Sequence, residues 1–285
     1  MKRVGVVARP DQPEARDVVR ELVRWLAARG KQVILEKETA GLVLATTPVA
    51  GKAELPAQTE LLVVLGGDGT LLSVARNTGD SGVPILGVNL GGLGFLAATT
   101  LGELFRALEE AFAGRLQVEE RMLLAARVSR DGEPSPEHVA LNDVVINKSP
   151  TSRIINLAVA IEGQEATDYR GDGLIISTPT GSTAYSLSAG GPIVFPTMDA
   201  VVLTPICAHT LTNRPIVLPG ELNIRVTLLT EQQDVMVTMD GQVAYPLKAR
   251  DTVEIRRATS RVRLLRFPEK HFFSVLRTKL KWGGR

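Results

Sequence analysis

The residues Gly66-Gly67-Asp68-Gly69-Thr70 bring three glycines, one carboxylate and one hydroxyl to the end of an apolar run, Leu61-Leu62-Val63-Val64-Leu65. A helical apolar pattern, expected from about Thr70 to Asn77, follows. A strand–turn–helix junction of this kind points backbone N–H groups and a helix N-terminus outward, where phosphate oxygens bind. Asp68 then stands at the mouth of an anion site. A carboxylate there is repelled unless it acts as a general base or through a divalent cation. An ordinary tight turn with Asp68 as a helix cap is the competing reading.

Two further stretches carry ligand-binding chemistry. Arg170-Gly171-Asp172 through Gly191-Pro192 holds a dense set of hydroxyls, including Thr183, Ser186 and Ser188, among small residues such as Ala184, with Tyr185 in their midst. Small hydroxyl residues let a polar ligand approach the backbone and offer both donors and acceptors. Tyr185 offers a face to a base. A polar loop followed by a helix cap is the competing account, and it does not explain a run this long. The pair Asn142-Asp143 enters a β-branched stretch, Val144-Val145-Ile146, that neither residue type favours. A buried amide or carboxylate needs a partner, which ribose hydroxyls would supply; an edge-strand turn explains the pair equally well.

These residues need elements to hold them. Val4 to Val7, Val33 to Leu35, Leu61 to Leu65 and Val83 to Val88 read as short buried strands, with Val19, Leu22, Val23 and Leu26 at helical spacing between the first two. Alternation of strands and helices indicates a parallel sheet covered on both faces. Ligands then bind beyond the carboxyl ends of the strands, where Asp68 and Asn89 lie. Asn89 to Leu96 is a second glycine-rich turn that either lets backbone approach a ligand or loop closely or merely shapes a connection. Thr100 and Glu103 have capping-box spacing, and Leu104, Phe105, Leu108, Ala111 and Phe112 form one helical face, expected to open a second domain. From about Val118 the pattern becomes strands joined by turns, an all-β unit of sandwich type. Phe272, Phe273, Val275, Leu276 and Leu280 in the tail suit packing back on the first domain.

Composition excludes several classes. A chain of 285 residues with 44% apolar residues suffices for two cores, and a net charge of +2 gives no bulk argument for nucleic acid. Arg256, Arg257, Arg261, Arg263 and Arg266 form either a phosphate patch or a solvated sheet face; the second is favoured, since the interleaved aromatics of single-strand binders are missing. The sole cysteine, Cys207, excludes an internal disulfide and cysteine-cluster metal sites, and reads as a small buried residue. A catalytic pair with His209 has little support from i,i+2 spacing. The sequence has no G-x-x-x-x-G-K-[ST], no G-x-G-x-x-G of the dinucleotide type and no H-E-x-x-H. Met1-Lys2-Arg3 runs directly into a strand, and no apolar run approaches the ~20 residues that span a bilayer. Those features lead to the expectation of a cytoplasmic protein without a membrane partner.

Taken together, the Gly66–Thr70 turn, Gly87 to Leu96, Asn142-Asp143, Asp172 to Pro192, Pro205 to Pro219 and Met239-Asp240-Gly241-Gln242 resemble the blocks of the NAD kinase family, in family order and over nearly the whole chain. The first motif is shared with diacylglycerol, sphingosine and phosphofructo-kinases; the 172–192 block is specific. The resemblance implies an amino-terminal Rossmann-like α/β domain at 1–100, completed by 266–285, and a carboxy-terminal β-sandwich domain at 101–265 that binds NAD. It implies transfer of the terminal phosphoryl group of ATP, or of polyphosphate, to the 2′-hydroxyl of the adenosine ribose of NAD, giving NADP, with a divalent ion, magnesium, on the phosphates. By position Asp68 would be the proton acceptor, with Gly66, Gly67, Gly69, Thr70 and Asn89 around it. Asn142 and Asp143 would meet the dinucleotide ribose, Asp172 the nicotinamide side, Arg153 and Arg170 phosphates or a neighbouring subunit's ligand, and Thr183 through Ser188 the adenine half. Gln242 would complete the pocket. A homodimer or homotetramer is implied as well. A lipid kinase sharing the glycine–aspartate turn and a non-catalytic NADP-binding sensor are the alternatives.

Overall fold

The computed structural model describes residues 1–43, 47–92, 94–210, 212–231 and 234–282. Leu93 of the second glycine-rich turn, Leu211 of the 205–219 block and residues 283–285 of the tail lie outside the described residues. The chain divides into two compact units, Met1–Glu120 with Val262–Arg285, and Arg121–Arg261.

In the first unit the strands Arg3–Ala8, Gln32–Glu36, Val49–Ala50, Leu61–Leu65 and Ile85–Asn89 are all parallel. Numbered in chain order, they lie as 3-2-1-4-5. The order reverses beside the first strand, so the carboxyl end of Leu61–Leu65 sits at a topological switch point, where open α/β sheets bind ligands. All five residues of that strand are buried, as expected when helices cover both faces of a parallel sheet. Val19, Leu22 and Leu26 of the helix Ala15–Ala28 supply one such cover. Leu264 extends the sheet by pairing in parallel with Ile85.

The helix Leu104–Phe112 does not open the second unit. Leu104, Ala107, Leu108 and Ala111 pack in the core of the first, with Val4, Leu22, Leu86 and Phe267. The sequence shows an amphipathic face but not the core that receives it, so the boundary falls at Glu120/Arg121 and not at 100/101. The expected capping box is present: Thr100 N–H and Oγ1 both bond the Glu103 carboxylate, at 2.9 and 2.7 Å. The tail helix Phe272–Leu280 belongs to the first unit and buries Val275 and Leu276.

The second unit is a sandwich. One antiparallel sheet runs Ile216–Pro219, Ala200–Ile206, Gly173–Ser177, Asp143–Lys148, Val235–Met239, Val243–Leu247. The other contains Gln164–Gly171, Ile155–Ile161, Ile224–Leu228 and the start of Thr252–Arg266. Val144, Ile146, Leu174 and Val237 from the first sheet share one core with Leu157, Val226 and Val253 from the second. Asp143–Lys148 is central, bonded on both sides, so Asn142-Asp143 is not an edge-strand turn. Cys207 is exposed, not buried: the strand ends at Ile206 and Cys207 turns away from it with φ 46°.

Candidate functional site

In the first unit the chain leaves Leu65, Gly66 N–H bonds Val88 O at 2.9 Å, and a helix starts at Asp68. Gly67 is the N-cap residue, and its carbonyl receives the N–H groups of Thr70 and Leu71. The Asp68 carboxylate does not cap its own helix. It accepts three consecutive backbone N–H groups from the second glycine-rich turn: Phe95 on Oδ2 at 3.0 Å, Leu96 and Ala97 on Oδ1 at 3.1 and 3.0 Å. A carboxylate has about four lone-pair positions. Oδ1 has both of its positions filled, and Oδ2 keeps one. Gly94 makes the approach feasible, because a Cβ there would lie 2.2 Å from Oδ1. Asn89 is buried at the strand end, and its Oδ1 accepts Gly91 N–H at 2.8 Å, which shapes the same turn. Gly69 is exposed, while Gly67, Asp68 and Thr70 are half-buried.

The second unit contains a cleft of about 320 Å³ bordered by Asn142, Asp143, Ala184, Tyr185, Asp240 and Gly241. Asn142, Asp143, Ala184 and Tyr185 were expected at the site from the sequence; Asp240 and Gly241 stood in a resembling block without a role, and Val145, Asn147 and Thr238, which also line the cleft, were not foreseen. Asp240 and Gly241 take left-handed φ of 52° and 62° in the hairpin between Val235–Met239 and Val243–Leu247. An Asp-Gly pair after an apolar strand is the signal for that turn. The Asp240 carboxylate accepts the N–H groups of Leu141, Asn142 and Asp143 at 3.0, 2.7 and 3.2 Å. The turn therefore fixes the backbone that carries the Asn-Asp pair.

Asp143 is 5% exposed. Burial, with the neighbouring Asp240 charge adding to it, pushes its carboxyl up from 3.8 to about 7. Near neutral pH it is partly protonated and can donate as well as accept. The raised value has a sign for stability. The folded state holds this proton more tightly than the unfolded chain, so the contribution is complete below about pH 4 and lost as pH rises to about 7. The displacement corresponds to on the order of 4 kcal/mol. Asp143→Asn, neutral at every pH, is expected to remove this slope, so that the wild-type Tm falls relative to the variant between about pH 4 and 7. Parallel Tm curves would contradict the assignment.

The hydroxyls of the 172–192 block are spent largely inside the fold. Ser177 donates to Thr178 O, Thr178 to Leu141 O, Ser182 to Pro179 O and Thr183 to Thr180 O. Ser186 is buried against Thr204 Oγ1 at 2.9 Å, and Ser188 is exposed. These bonds brace the loop that presents Ala184 and Tyr185, the latter 44% exposed at the cleft. Arg153, Arg170 and Gln242 are exposed and do not border the cleft, and Asp172 pairs with Lys148 at 3.5 Å. A feature not foreseen is Arg121, 3% exposed, whose Nη1 donates to Thr180 Oγ1 at 3.3 Å.

Each arginine of the series has a partner within the fold. Arg256 pairs with Glu137, Arg257 and Arg261 with Asp199, and Arg266 with Glu119, while Arg263 donates to Gly82 O. Among the described residues no group of three or more His, Cys, Asp or Glu side chains could cage a metal, and no helix is long and apolar enough to cross a membrane.

Two family models match the chain, the ATP-NAD kinase N-terminal domain over residues 4–116 and the ATP-NAD kinase C-terminal domain over 141–267. NAD kinases of Geotalea daltonii and Geobacter sulfurreducens are 49% and 48% identical to it over 285 residues, covering 100% of both chains in each case. Yeast NADH kinase complexed with NADH superposes with a TM-score of 0.92 at 28% identity, covering 100% of this chain and 89% of that one. An NAD kinase from Archaeoglobus fulgidus in complex with ATP superposes with a TM-score of 0.77 at 26% identity, covering 98% of each. The chain belongs to the NAD kinase family, enzymes that transfer the terminal phosphoryl group of ATP to the 2′-hydroxyl of the adenosine ribose of NAD.

Proposed function

We propose that Asp68 accepts the proton of the ribose 2′-hydroxyl as its oxygen bonds to phosphorus and ADP leaves. The observation that carries this role is the carboxylate's fixed position, with three N–H donors occupying Oδ1 fully and Oδ2 singly. The remaining lone pair on Oδ2 is the one that takes the proton. Phosphoryl transfer depends on positioning and charge neutralisation more than on covalent catalysis, and a fixed acceptor suits it. The turn Gly66–Thr70 and Asn89 line the donor's phosphates. Asn142 and Asp143 hold ribose hydroxyls, with Asp143 donating when protonated. Thr183, Ala184, Tyr185, Ser186 and Ser188 form the adenine side, the hydroxyls of Thr183 and Ser186 acting through the loop they brace. Asp172, Arg153, Arg170 and Gln242 act at the nicotinamide and phosphate ends.

Magnesium suits this site as part of the nucleotide substrate. The ion would come to the site with the nucleotide's phosphates, the usual carrier for a cation that dehydrates reluctantly. Bound there it would neutralise charge on the transferring phosphoryl group. A cytoplasmic homodimer or homotetramer completes the reading.

Incubating the pure chain with NAD, ATP and magnesium, and detecting NADP with an NADP-specific dehydrogenase, tests the function. Polyphosphate and other divalent ions are run in parallel. Absence of NADP under all of them would sink the reading and leave the lipid-kinase and sensor alternatives, which full-length identity to NAD kinases disfavours. Light scattering reports the assembly. Tyr185→Ala is expected to raise KM for NAD by about 5- to 100-fold, the worth of one base stacked on an aromatic ring. Its kcat should stay near wild type, since stacking is equal in ground and transition states. An unchanged KM would remove Tyr185 from the adenine side.

A further inference from the structure

We propose that Arg266 is a positioning residue for phosphoryl transfer, acting on Asp68 through two peptide groups. Arg266 Nη2 donates to Phe95 O at 2.5 Å and approaches Leu96 O at 3.4 Å. The peptide that carries Phe95 O also carries Leu96 N–H, and the one that carries Leu96 O carries Ala97 N–H. Those two N–H groups are the donors that fill Asp68 Oδ1. In a trans peptide C=O and N–H point in opposite directions. Each peptide therefore has a guanidinium at its oxygen and a carboxylate at its hydrogen. A cation on the oxygen polarises the group and strengthens the N–H as a donor, and the effect runs along the chain of bonds.

The arrangement is built, not incidental. Arg266 is 4% exposed, and its guanidinium forms an ion pair with Glu119, Nε to Oε2 at 3.0 Å, which offsets the burial of its charge. Lys270 adds a contact two residues on, Ala98 O at 2.8 Å, and is itself tied to Glu103. The returning tail thus grips the carbonyl side of the 95–98 segment while Asp68 grips its amide side. A lysine in place of Arg266 would keep a charge but lose the rigid fork that meets two carbonyls and Glu119 together.

The proposal rests on the reading of Asp68 as proton acceptor, and its test separates the two. Arg266→Lys is expected to lower kcat by up to about 10²-fold, the cost of misplacing a catalytic group by about 1 Å. KM for NAD should stay within about twofold, as the change falls on the transition state. In an Asp68→Asn background the same substitution should change kcat less than about twofold, because residues acting as one unit are non-additive. Independently of turnover, the amide proton resonances of Leu96 and Ala97 should move upfield in Arg266→Lys as their bonds to Asp68 lengthen. If Arg266→Lys does not fold, Glu119→Gln with Arg266→Met removes the buried cation and its half-buried counter-charge together and is read the same way. Unmoved resonances, or an equal kcat loss with and without the Asp68 carboxylate, would overturn the proposal. Wild-type turnover in Asp68→Asn alone would instead overturn the reading of Asp68, and the resonances would still decide the clamp.

Discussion

Asp68→Asn is expected to lower kcat by about 10²–10⁴-fold, the range for removing a general base, and to leave NAD affinity close to wild type. The substitution keeps shape but replaces one acceptor oxygen by an NH₂ group. With Oδ1 held by two donors, the amide nitrogen goes to the Oδ2 position, where it meets Phe95 N–H donor to donor. One hydrogen bond is lost, and with it goes the oxygen proposed as the proton acceptor. The bond costs about 1–3 kcal/mol of stability, which thermal unfolding reports separately from turnover. Single-turnover kinetics with bound NAD isolates the chemical step. A variant that turns over at the wild-type rate would show that Asp68 orients the turn and nothing more.

Gly94→Ala is expected to match that loss of turnover and to exceed its loss of stability. A Cβ on Gly94 would stand 2.2 Å from Asp68 Oδ1, 2.9 Å from Cγ and 3.1 Å from Oδ2. Either the carboxylate rotates away or the 94–97 backbone retreats, and both outcomes break the three-N–H cradle. Each hydrogen bond to a charged group is worth about 1.5–3 kcal/mol, and one kcal/mol moves Tm by roughly 2–4 °C in a chain of this size. Gly92→Ala is the control from the same turn. It meets nothing within 4 Å and should change neither Tm nor kcat appreciably. Equal behaviour of the two variants would refute the close approach.

Much of the fold was readable because local pattern decides it. The apolar runs at Val4, Val33, Leu61 and Ile85 are strands, and the Thr100/Glu103 pair caps as its spacing says. Errors arose where the receiving surface lies far along the chain. The amphipathic face of Leu104–Phe112 fits either unit until Phe267 and Leu22 are seen beneath it. Cys207 counts as apolar in any scale, yet the strand that would have buried it stops one residue earlier. The hydroxyls of 177–186 read as ligand contacts because a sequence does not reveal that Thr178 reaches Leu141, or Ser186 reaches Thr204.

The sequence by itself determined the chemistry available: a carboxylate at a glycine turn after a buried strand, a tyrosine in a run of small residues, an Asn-Asp pair, and through their order the family. Only the tertiary structure decided what the carboxylates do. Asp68 finds its donors 27 to 29 residues downstream, and Asp240 finds its own 97 to 99 residues upstream. Backbone N–H groups carry no side-chain signature, so partners of this kind leave no trace in composition or spacing. They exist only when a glycine, a bend and a second segment meet at hydrogen-bonding distance, and that meeting is what turns an acidic residue in a turn into a fixed group with one free lone pair.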